Sequence, residues 1–234
     1  MSSKASLLLI PGLLCTAELW AAQRAALSGQ AEILVPDHTR FSSVGEIARA
    51  ILAEAPDRFS LAGLSMGGYI VFEMLRQAPG RIERLALLDT KAAADTPDQV
   101  QRRRDFMALA KRGRFKGVTP QLLPFLLARQ NLENETLRQV IFRMAEQVGV
   151  DGFLRQQQAI IDRPDSRGDL GRINCPTLVL CGAEDSLTPV DGHRDMAAAI
   201  PGARLAIVDG AGHLAPLEQP DVVTAHLRDW LGWA

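Results

Sequence analysis

The most informative segment of the chain reads Phe59-Ser60-Leu61-Ala62-Gly63-Leu64-Ser65-Met66-Gly67-Gly68-Tyr69-Ile70. Its first half is an apolar run typical of a buried strand, and apolar side chains at helical spacing follow Gly67. A serine between two glycines at a strand-to-helix junction predicts a sharp turn that projects the hydroxyl away from the sheet. The motif alone is too short to be specific, so its position between a strand pattern and a helix pattern is what supports a catalytic role. Ser65 is therefore the candidate nucleophile.

Apolar runs that suit buried parallel strands recur on both sides of this segment. They cover residues 6–10, 33–35, 59–64, 85–88, 177–181 and 205–208. Helical patterns separate most of them, at 19–27, 44–53, 68–77, 191–199 and 221–230. This alternation predicts an α/β fold, with a mostly parallel sheet covered by helices on both faces.

The alternation stops between about residues 91 and 169. Apolar residues there follow helical spacing without a clear strand, as in Leu122, Leu126 and Met144. We expect an inserted helical cap at 91–169, with residues 1–90 and 170–234 forming the core.

The bulk composition excludes several kinds of function. The chain has 234 residues and a formal net charge of -1, which disfavours nucleic acid as a partner. Its three cysteines are odd in number and unclustered, so we expect neither a disulfide framework nor a metal site. There is no glycine-rich phosphate loop, and no cofactor is expected. The apolar run at 7–10 is too short for a signal peptide or membrane span, which predicts a cytoplasmic protein without a membrane partner.

A serine nucleophile needs a base to take its proton and an acid to orient that base. His213 lies in a loop of small residues after the last predicted strand, and Asp185 follows the strand at 177–181. The chain order serine, aspartate, histidine is the one expected for a triad on this architecture. The other histidines, at 38, 193 and 226, are better explained by surface or packing roles.

Other assignments of these residues remain open. Asp185 could simply cap the following helix, and His213 could be an ordinary loop histidine. Glu184 could be the acid if the turn is offset by one residue, and Asp89 could supply it from the end of another strand. We rank Asp185 first and Asp89 second.

Acyl transfer also requires N–H groups aimed at the developing oxyanion. Met66 offers one directly after the nucleophile, and Leu13 offers another in the loop after the first strand. Pro11 has no N–H to donate, while Gly12 lets the backbone turn toward the site. The alternative is that Pro11-Gly12 is only a turn.

Together, the Pro11–Trp20 segment, the Ser65 turn and the Gly212-His213 loop resemble the α/β-hydrolase fold superfamily. Within it they resemble small bacterial carboxylesterases of the pimeloyl-carrier-protein methyl ester esterase type. The resemblance implies Ser65 as nucleophile, His213 as base, Asp185 as acid, and Leu13 and Met66 as oxyanion donors. Most relatives have His-Gly where this chain has Pro11-Gly12, which limits what the resemblance says about the substrate.

These observations predict a serine hydrolase that cleaves a small carboxylic ester through an acyl-enzyme. Thioesters, enol-lactones, elimination or carbon–carbon cleavage, and a non-catalytic binding role are the alternatives. The predicted cap contains a basic cluster that could attract an anionic substrate or an acidic carrier protein, although a solvated helix face would look the same. The cluster comprises Arg102, Arg103, Arg104, Lys111, Arg112, Arg114 and Lys116. Phe125, Leu126 and Phe153 are candidates for an acyl pocket.

Overall fold

A six-stranded parallel sheet forms the centre of the molecule, for which the computed structural model describes residues 5–232. The strands are β1 (Ala5–Ile10), β2 (Ala31–Leu34), β3 (Phe59–Leu64), β4 (Ile82–Leu88), β5 (Thr177–Gly182) and β6 (Arg204–Val208). Their order across the sheet is β2-β1-β3-β4-β5-β6, and every neighbouring pair is parallel. The predicted α/β fold class is confirmed.

Nine α-helices connect and cover the strands. They are α1 (Ala21–Leu27), α2 (Val44–Glu54), α3 (Met66–Gln77), α4 (Pro97–Leu109), α5 (Leu123–Leu126), α6 (Glu135–Ile161), α7 (Val190–Ala199), α8 (Ala215–Glu218) and α9 (Pro220–Trp230) within residues 5–232. Within this range, no helix is both long and apolar enough to cross a membrane.

The two faces of the sheet carry separate apolar cores, because successive side chains of a strand point to opposite faces. Leu7 and Leu9 of β1 belong to the core that contains residues of α1 and α9, whereas Leu8 and Ile10 belong to the core that contains residues of α2 and α3. The interior strands β3 and β5 are buried along their whole length. This burial on both faces explains their continuous apolar sequences.

Several predicted elements differ in extent from those in the structure. β4 begins at Ile82, whereas the sequence predicted a start at Leu85, because Glu83 and Arg84 interrupt the apolar run on which the prediction relied. The first predicted helix divides into a 3-10 turn at Ala17–Trp20 and the short helix α1. Helix α2 begins where Ser43 caps it by accepting a hydrogen bond from Gly45 N–H.

Helices fill the connection between β4 and β5, where the sequence predicted an inserted cap. Helix α4 has no buried residue and continues into a π-helical turn at Ala110–Arg114. Helix α6 is broken at Gly149, whose φ is 67°, and buries residues on both sides of this break. We keep the division into a core and a cap at 91–169 as a proposal.

Candidate active site

Ser65 lies at the junction of β3 and α3 in a strained backbone conformation. Its φ is 54° and its ψ is -115°, a region that residues other than glycine rarely adopt. Ser65 N–H donates to Leu88 O of β4 at 3.0 Å, and Gly68 N–H donates to Ser65 O at 2.9 Å. These bonds on both sides of the residue hold the turn in place.

Gly63 and Gly67, each two residues from Ser65, have no room for a side chain because backbone atoms pack closely against them. A Cβ on Gly67 would lie 2.2 Å from Ile10 O, and a Cβ on Gly63 would lie 2.6 Å from the backbone of Gly67. Both distances are well inside van der Waals contact. The Gly-x-Ser-x-Gly pattern therefore reflects how closely α3 begins against β1 and β3.

His213 reaches Ser65 from the loop that follows β6. Its Nε2 lies 2.9 Å from Ser65 Oγ, and its Nδ1 lies 2.9 Å from Asp185 Oδ2. The histidine backbone N–H donates to Leu126 O at 3.0 Å, and the side chain is almost fully buried. The imidazole thus bridges a hydroxyl and a carboxylate that come from the ends of β3 and β5.

Asp185 is fixed by hydrogen bonds from its own turn. Its Oδ1 accepts from Leu187 N–H and Thr188 N–H, both at 2.9 Å, and its Oδ2 accepts from the Thr188 hydroxyl. Burial by itself would raise the pKa of Asp185, but the charge of His213 and hydrogen bonds from His213 and Thr188 lower it below its ordinary value. An ionised carboxylate is therefore held against the imidazole.

The two alternative acids occupy different positions. Asp89 is fully buried, and its Oδ1 accepts from Gly182 N–H at 2.8 Å, while Glu184 is exposed and accepts from Arg129 N–H at 3.0 Å. Among the described residues, the carboxylate bonded to His213 belongs to Asp185. The geometry favours Asp185 over both alternatives.

The loop after β1 passes close to Ser65. A Cβ on Gly12 would lie 3.3 Å from Ser65 Cβ, so glycine allows this approach. Met66 is the first residue of α3, where an N–H has no partner within the helix. Across residues 5–232, the N–H groups of Leu13 and Met66 donate to no protein acceptor. Both N–H groups are therefore without an intramolecular acceptor, as the proposed oxyanion donors must be.

Three polar residues near these loops carried no signal that the sequence analysis used. Thr188 supports Asp185, and Gln156 accepts a hydrogen bond from Leu14 N–H at 3.1 Å. Glu218 accepts from Gly212 N–H and Ala128 N–H, both at 2.7 Å, which ties the His213 loop to the helical segment. Thr188 could have been suspected from its position three residues after Asp185, whereas the others depend on long-range packing.

The basic cluster divides into one paired residue and several exposed ones. Arg103 is half-buried, forms an ion pair with Asp95 and donates to Gln157, so it is part of the local packing. The remaining members are exposed: Arg102, Arg104, Lys111, Arg112, Arg114 and Lys116.

The candidate acyl-pocket residues also differ from one another. Phe153 is buried in a small apolar cluster with Leu14 and packs on Phe115, at a ring-centroid distance of 5.1 Å. Phe125 is 51% exposed, and Leu126 is half-buried against the core beside α1 and α9. Phe153 and Leu126 therefore both pack in clusters that contain a residue of the loop after β1, Leu14 for Phe153 and Cys15 for Leu126, whereas Phe125 is exposed.

The described residues contain no group of three or more histidine, cysteine or acidic side chains arranged to hold a metal ion. Cys15 and Cys181 are buried and Cys175 is half-buried, all as free thiols. Burial raises the pKa of Cys15 and of Cys181 to about 12.

Comparison with known proteins gives consistent matches. The model of a family described as the alpha/beta hydrolase family matches residues 7–226. A putative carbamate hydrolase RutD from Klebsiella pneumoniae is 27% identical, over 91% of this chain and 85% of the relative. A pimeloyl-[acyl-carrier protein] methyl ester esterase from Nitrosomonas europaea is 28% identical, over 76% of this chain and 73% of the relative. The structure of a thermophilic esterase from Thermogutta terrifontis superposes with a TM-score of 0.91 and 29% identity, over 99% of this chain and 91% of that chain.

Proposed function

This chain belongs to the alpha/beta hydrolase family, and we propose that it hydrolyses a carboxylic ester through an acyl-enzyme on Ser65. The observation that carries the proposal is the continuous contact from Ser65 Oγ to His213 and from His213 to Asp185. Relatives named as an esterase and a methyl ester esterase support the same class of reaction.

The geometry supports a two-stage reaction. His213 Nε2 takes the proton of Ser65 Oγ while that oxygen attacks the ester carbonyl, and Asp185 stabilises the imidazolium through Nδ1–H. The N–H groups of Leu13 and Met66 receive the charge that develops on the carbonyl oxygen. His213 then gives the proton to the departing alkoxide, which leaves as the alcohol. In the second stage His213 activates a water molecule that releases the acid from Ser65.

The acyl group is proposed to lie against the small apolar cluster beside the β1 loop. This cluster consists of Leu14, Ala110, Ala145 and Phe153, with Phe115 packed against it. It combines a residue adjacent to the proposed oxyanion donor with residues of the helical segment. A cluster of this composition favours an apolar acyl chain over a charged one.

The decisive experiment compares wild type with Ser65→Ala. The substrates are p-nitrophenyl acetate, butyrate and octanoate, and intact mass is measured after fluorophosphonate treatment. We expect one adduct on the wild type, none on Ser65→Ala, and a loss of turnover of about 10⁴-fold or more. Ser60→Ala is the matched control, because Ser60 is a buried serine on β3, the strand that leads to Ser65.

Two results would separate the ester hydrolase from its alternatives. If turnover of a substrate depends on Ser65 without any adduct, elimination or carbon–carbon cleavage replaces the acyl-enzyme proposal. If Ser65→Ala and wild type bind ligands equally and neither turns over, the protein is a binding protein.

We also propose that the exposed basic residues of α4 and its π-helical turn attract an acyl group presented on an acidic carrier protein. In Arg102–Lys116 the only acidic residue is Asp105, and one relative is named for a carrier-protein ester. Replacing Arg102 and Arg104 by glutamine should lower kcat/KM and its salt dependence for a methyl ester carried on such a protein, but not for p-nitrophenyl butyrate. A double variant of exposed Arg24 and Arg49 is the charge-matched control. If both double variants behave alike, electrostatic attraction by this surface is refuted.

A further inference from the structure

Two buried polar side chains lie beneath the loop that follows β1. His38, from the loop after β2, is 2% exposed, and Gln156, from α6, is fully buried. His38 Nε2 lies 3.0 Å from Gly12 O and 3.0 Å from Gln156 Nε2. Arg155, next to Gln156, donates to Thr39 O at 2.7 Å, so the two elements are joined at a second point.

The position of Gly12 O determines the direction of the Leu13 N–H. Both groups belong to one trans peptide unit, so they point in opposite directions and rotate together. Gly12 O is held by Cys15 N–H at 3.1 Å and lies against His38 Nε2 at 3.0 Å. A partner that fixes this carbonyl also aims the N–H of Leu13.

The next peptide unit is held by Gln156. Leu14 has a φ of 59°, and its N–H donates to Gln156 Oε1 at 3.1 Å. A left-handed conformation at a residue other than glycine costs about 1–2 kcal/mol, so it persists only where surrounding contacts impose it. Gln156 supplies such a contact, and without it the N–H would lose its acceptor.

The same pair is consistent with an uncharged imidazole. Burial lowers the pKa of His38, although its contact with Gly12 O and the charge of Asp37 oppose the change. The Leu14 N–H requires the oxygen of the Gln156 amide to face it, so the amide nitrogen faces His38. If His38 Nε2 accepts from the Gln156 amide nitrogen, it holds the amide whose oxygen accepts from Leu14 N–H. If Nε2 instead donates to Gly12 O, it holds the peptide unit that carries the Leu13 N–H.

We propose that His38 and Gln156 are positioning residues that aim the Leu13 N–H at the oxyanion of the reaction. The inference rests on the proposed ester hydrolysis, because an oxyanion forms only if Ser65 attacks a carbonyl. Neither side chain contacts the reacting atoms. Their effect is transmitted through the backbone of Gly12, Leu13 and Leu14.

The test compares Gln156→Leu and His38→Leu with a control on the same helix. Gln157 is also a buried glutamine, but its Oε1 accepts from Arg103, so Gln157→Leu removes similar packing without touching the β1 loop. We measure kcat and KM for p-nitrophenyl butyrate, Ki for a trifluoromethyl ketone that forms an oxyanion on Ser65, and thermal stability. His38→Gln, which restores a polar group near the position of Nε2, is the rescue variant.

Loss of a whole oxyanion donor costs about 10²–10³ in kcat, so a misdirected donor should cost about 10-fold or more. We expect kcat to fall and Ki to rise by the same factor in Gln156→Leu and His38→Leu, with KM within about twofold. His38→Gln should recover most of this loss, and Gln157→Leu should retain the kcat and Ki of wild type.

If Gln156→Leu and His38→Leu alter kcat and Ki no more than Gln157→Leu does, while wild type shows Ser65-dependent turnover, the positioning role is refuted and ester hydrolysis stands. Wild type without such turnover refutes both. If either variant fails to fold, the other tests the role from a different element, and His38→Gln supplies a third measurement.

Discussion

Replacing Asp89 by asparagine should stabilise the protein. Asp89 is fully buried directly after β4, and its Oδ1 accepts from Gly182 N–H at 2.8 Å. Its Oδ2 is buried with no partner at hydrogen-bond geometry among residues 5–232. Burial raises the pKa of this carboxyl well above its usual value, and the nearby charge of Asp185 raises it further, although the backbone N–H of Ala215 lowers the pKa and so opposes part of this rise. Asparagine keeps the oxygen that Gly182 needs and carries no charge.

The size of the effect follows from the charge alone, because the amide NH₂ of asparagine would replace Oδ2 without gaining a partner. Each unit by which the folded pKa of Asp89 exceeds its unfolded value is worth about 1.4 kcal/mol once the carboxyl is ionised in the folded protein. For a protein of this length, 1 kcal/mol corresponds to about 2–4 °C in Tm. The φ of 45° at Asp89 should not oppose the change, because asparagine and aspartate both adopt positive φ more readily than most residues.

The stabilisation should depend on pH in a defined direction. The folded-state pKa of Asp89 lies above the unfolded value of about 3.8, so the folded protein retains the proton more strongly. The stability that this proton contributes is present below the unfolded pKa and is lost as the pH rises through the folded pKa. The advantage of Asp89→Asn over wild type should therefore be small near pH 4.5 and largest at alkaline pH.

Urea unfolding at several pH values between about 4.5 and 9 measures this difference, with reversibility checked at each pH. Asp151→Asn, at an exposed position of α6, should show no comparable trend. Asp89→Asn should also retain Ser65-dependent turnover, because His213 bonds Asp185 instead. Equal destabilisation at every pH would refute the argument, and loss of turnover would make Asp89 the catalytic acid.

Three further predictions concern residues of the candidate site and its supporting loops. Gly67→Ala should lower the free energy of unfolding by about 1–3 kcal/mol and reduce turnover, because the new Cβ would meet the Ile10 carbonyl of β1. Gly80→Ala, where no atom lies within reach of the new Cβ, should change neither quantity when urea unfolding and turnover are measured in the same way. Asp185→Asn should lower kcat by about 10⁴-fold in steady-state kinetics, since the imidazole loses its orienting acceptor; a loss under tenfold would contradict this. Glu218→Gln should lower the free energy of unfolding in urea by about 1–3 kcal/mol, because the amide NH₂ would face a backbone N–H of Gly212 or Ala128. If Glu218→Gln is no less stable than Glu184→Gln, a change at an exposed position, that explanation is excluded.

Much of the fold could be predicted because buried parallel strands have continuous apolar sequences. The runs in β1, β3 and β5 stand out for this reason, and helix α2 shows one apolar face, with Val44, Ile47 and Ile51 buried. The start of β4 could not be predicted, since Glu83 and Arg84 are tolerated only where the strand end approaches solvent. Helix α3 begins at Met66 because Ser65 has a positive φ, which a periodic pattern does not reveal.

The candidate site was predictable in part for similar reasons. Parallel strands end at the same edge of the sheet, so residues after β3, β5 and β6 were expected to meet there. The three acids Asp185, Glu184 and Asp89 all follow neighbouring strands, so their positions in the sequence do not show which carboxylate points toward His213. That choice required the side-chain contacts of the structure. His38 and Gln156 were missed because their roles arise from contacts between residues separated by 118 positions.

The helical segment between β4 and β5 supplies hydrogen-bond partners to the loop after β1 and to the His213 loop. Leu126 O accepts from His213 N–H at 3.0 Å and from Leu214 N–H at 3.2 Å, and Gln156 accepts from Leu14 N–H. Deleting the segment would therefore leave three backbone N–H groups of these loops without their acceptors, in addition to uncovering apolar surface. Since each such loss costs about 1–3 kcal/mol when buried, the geometry of the Ser65 site depends on this segment as well as on the sheet.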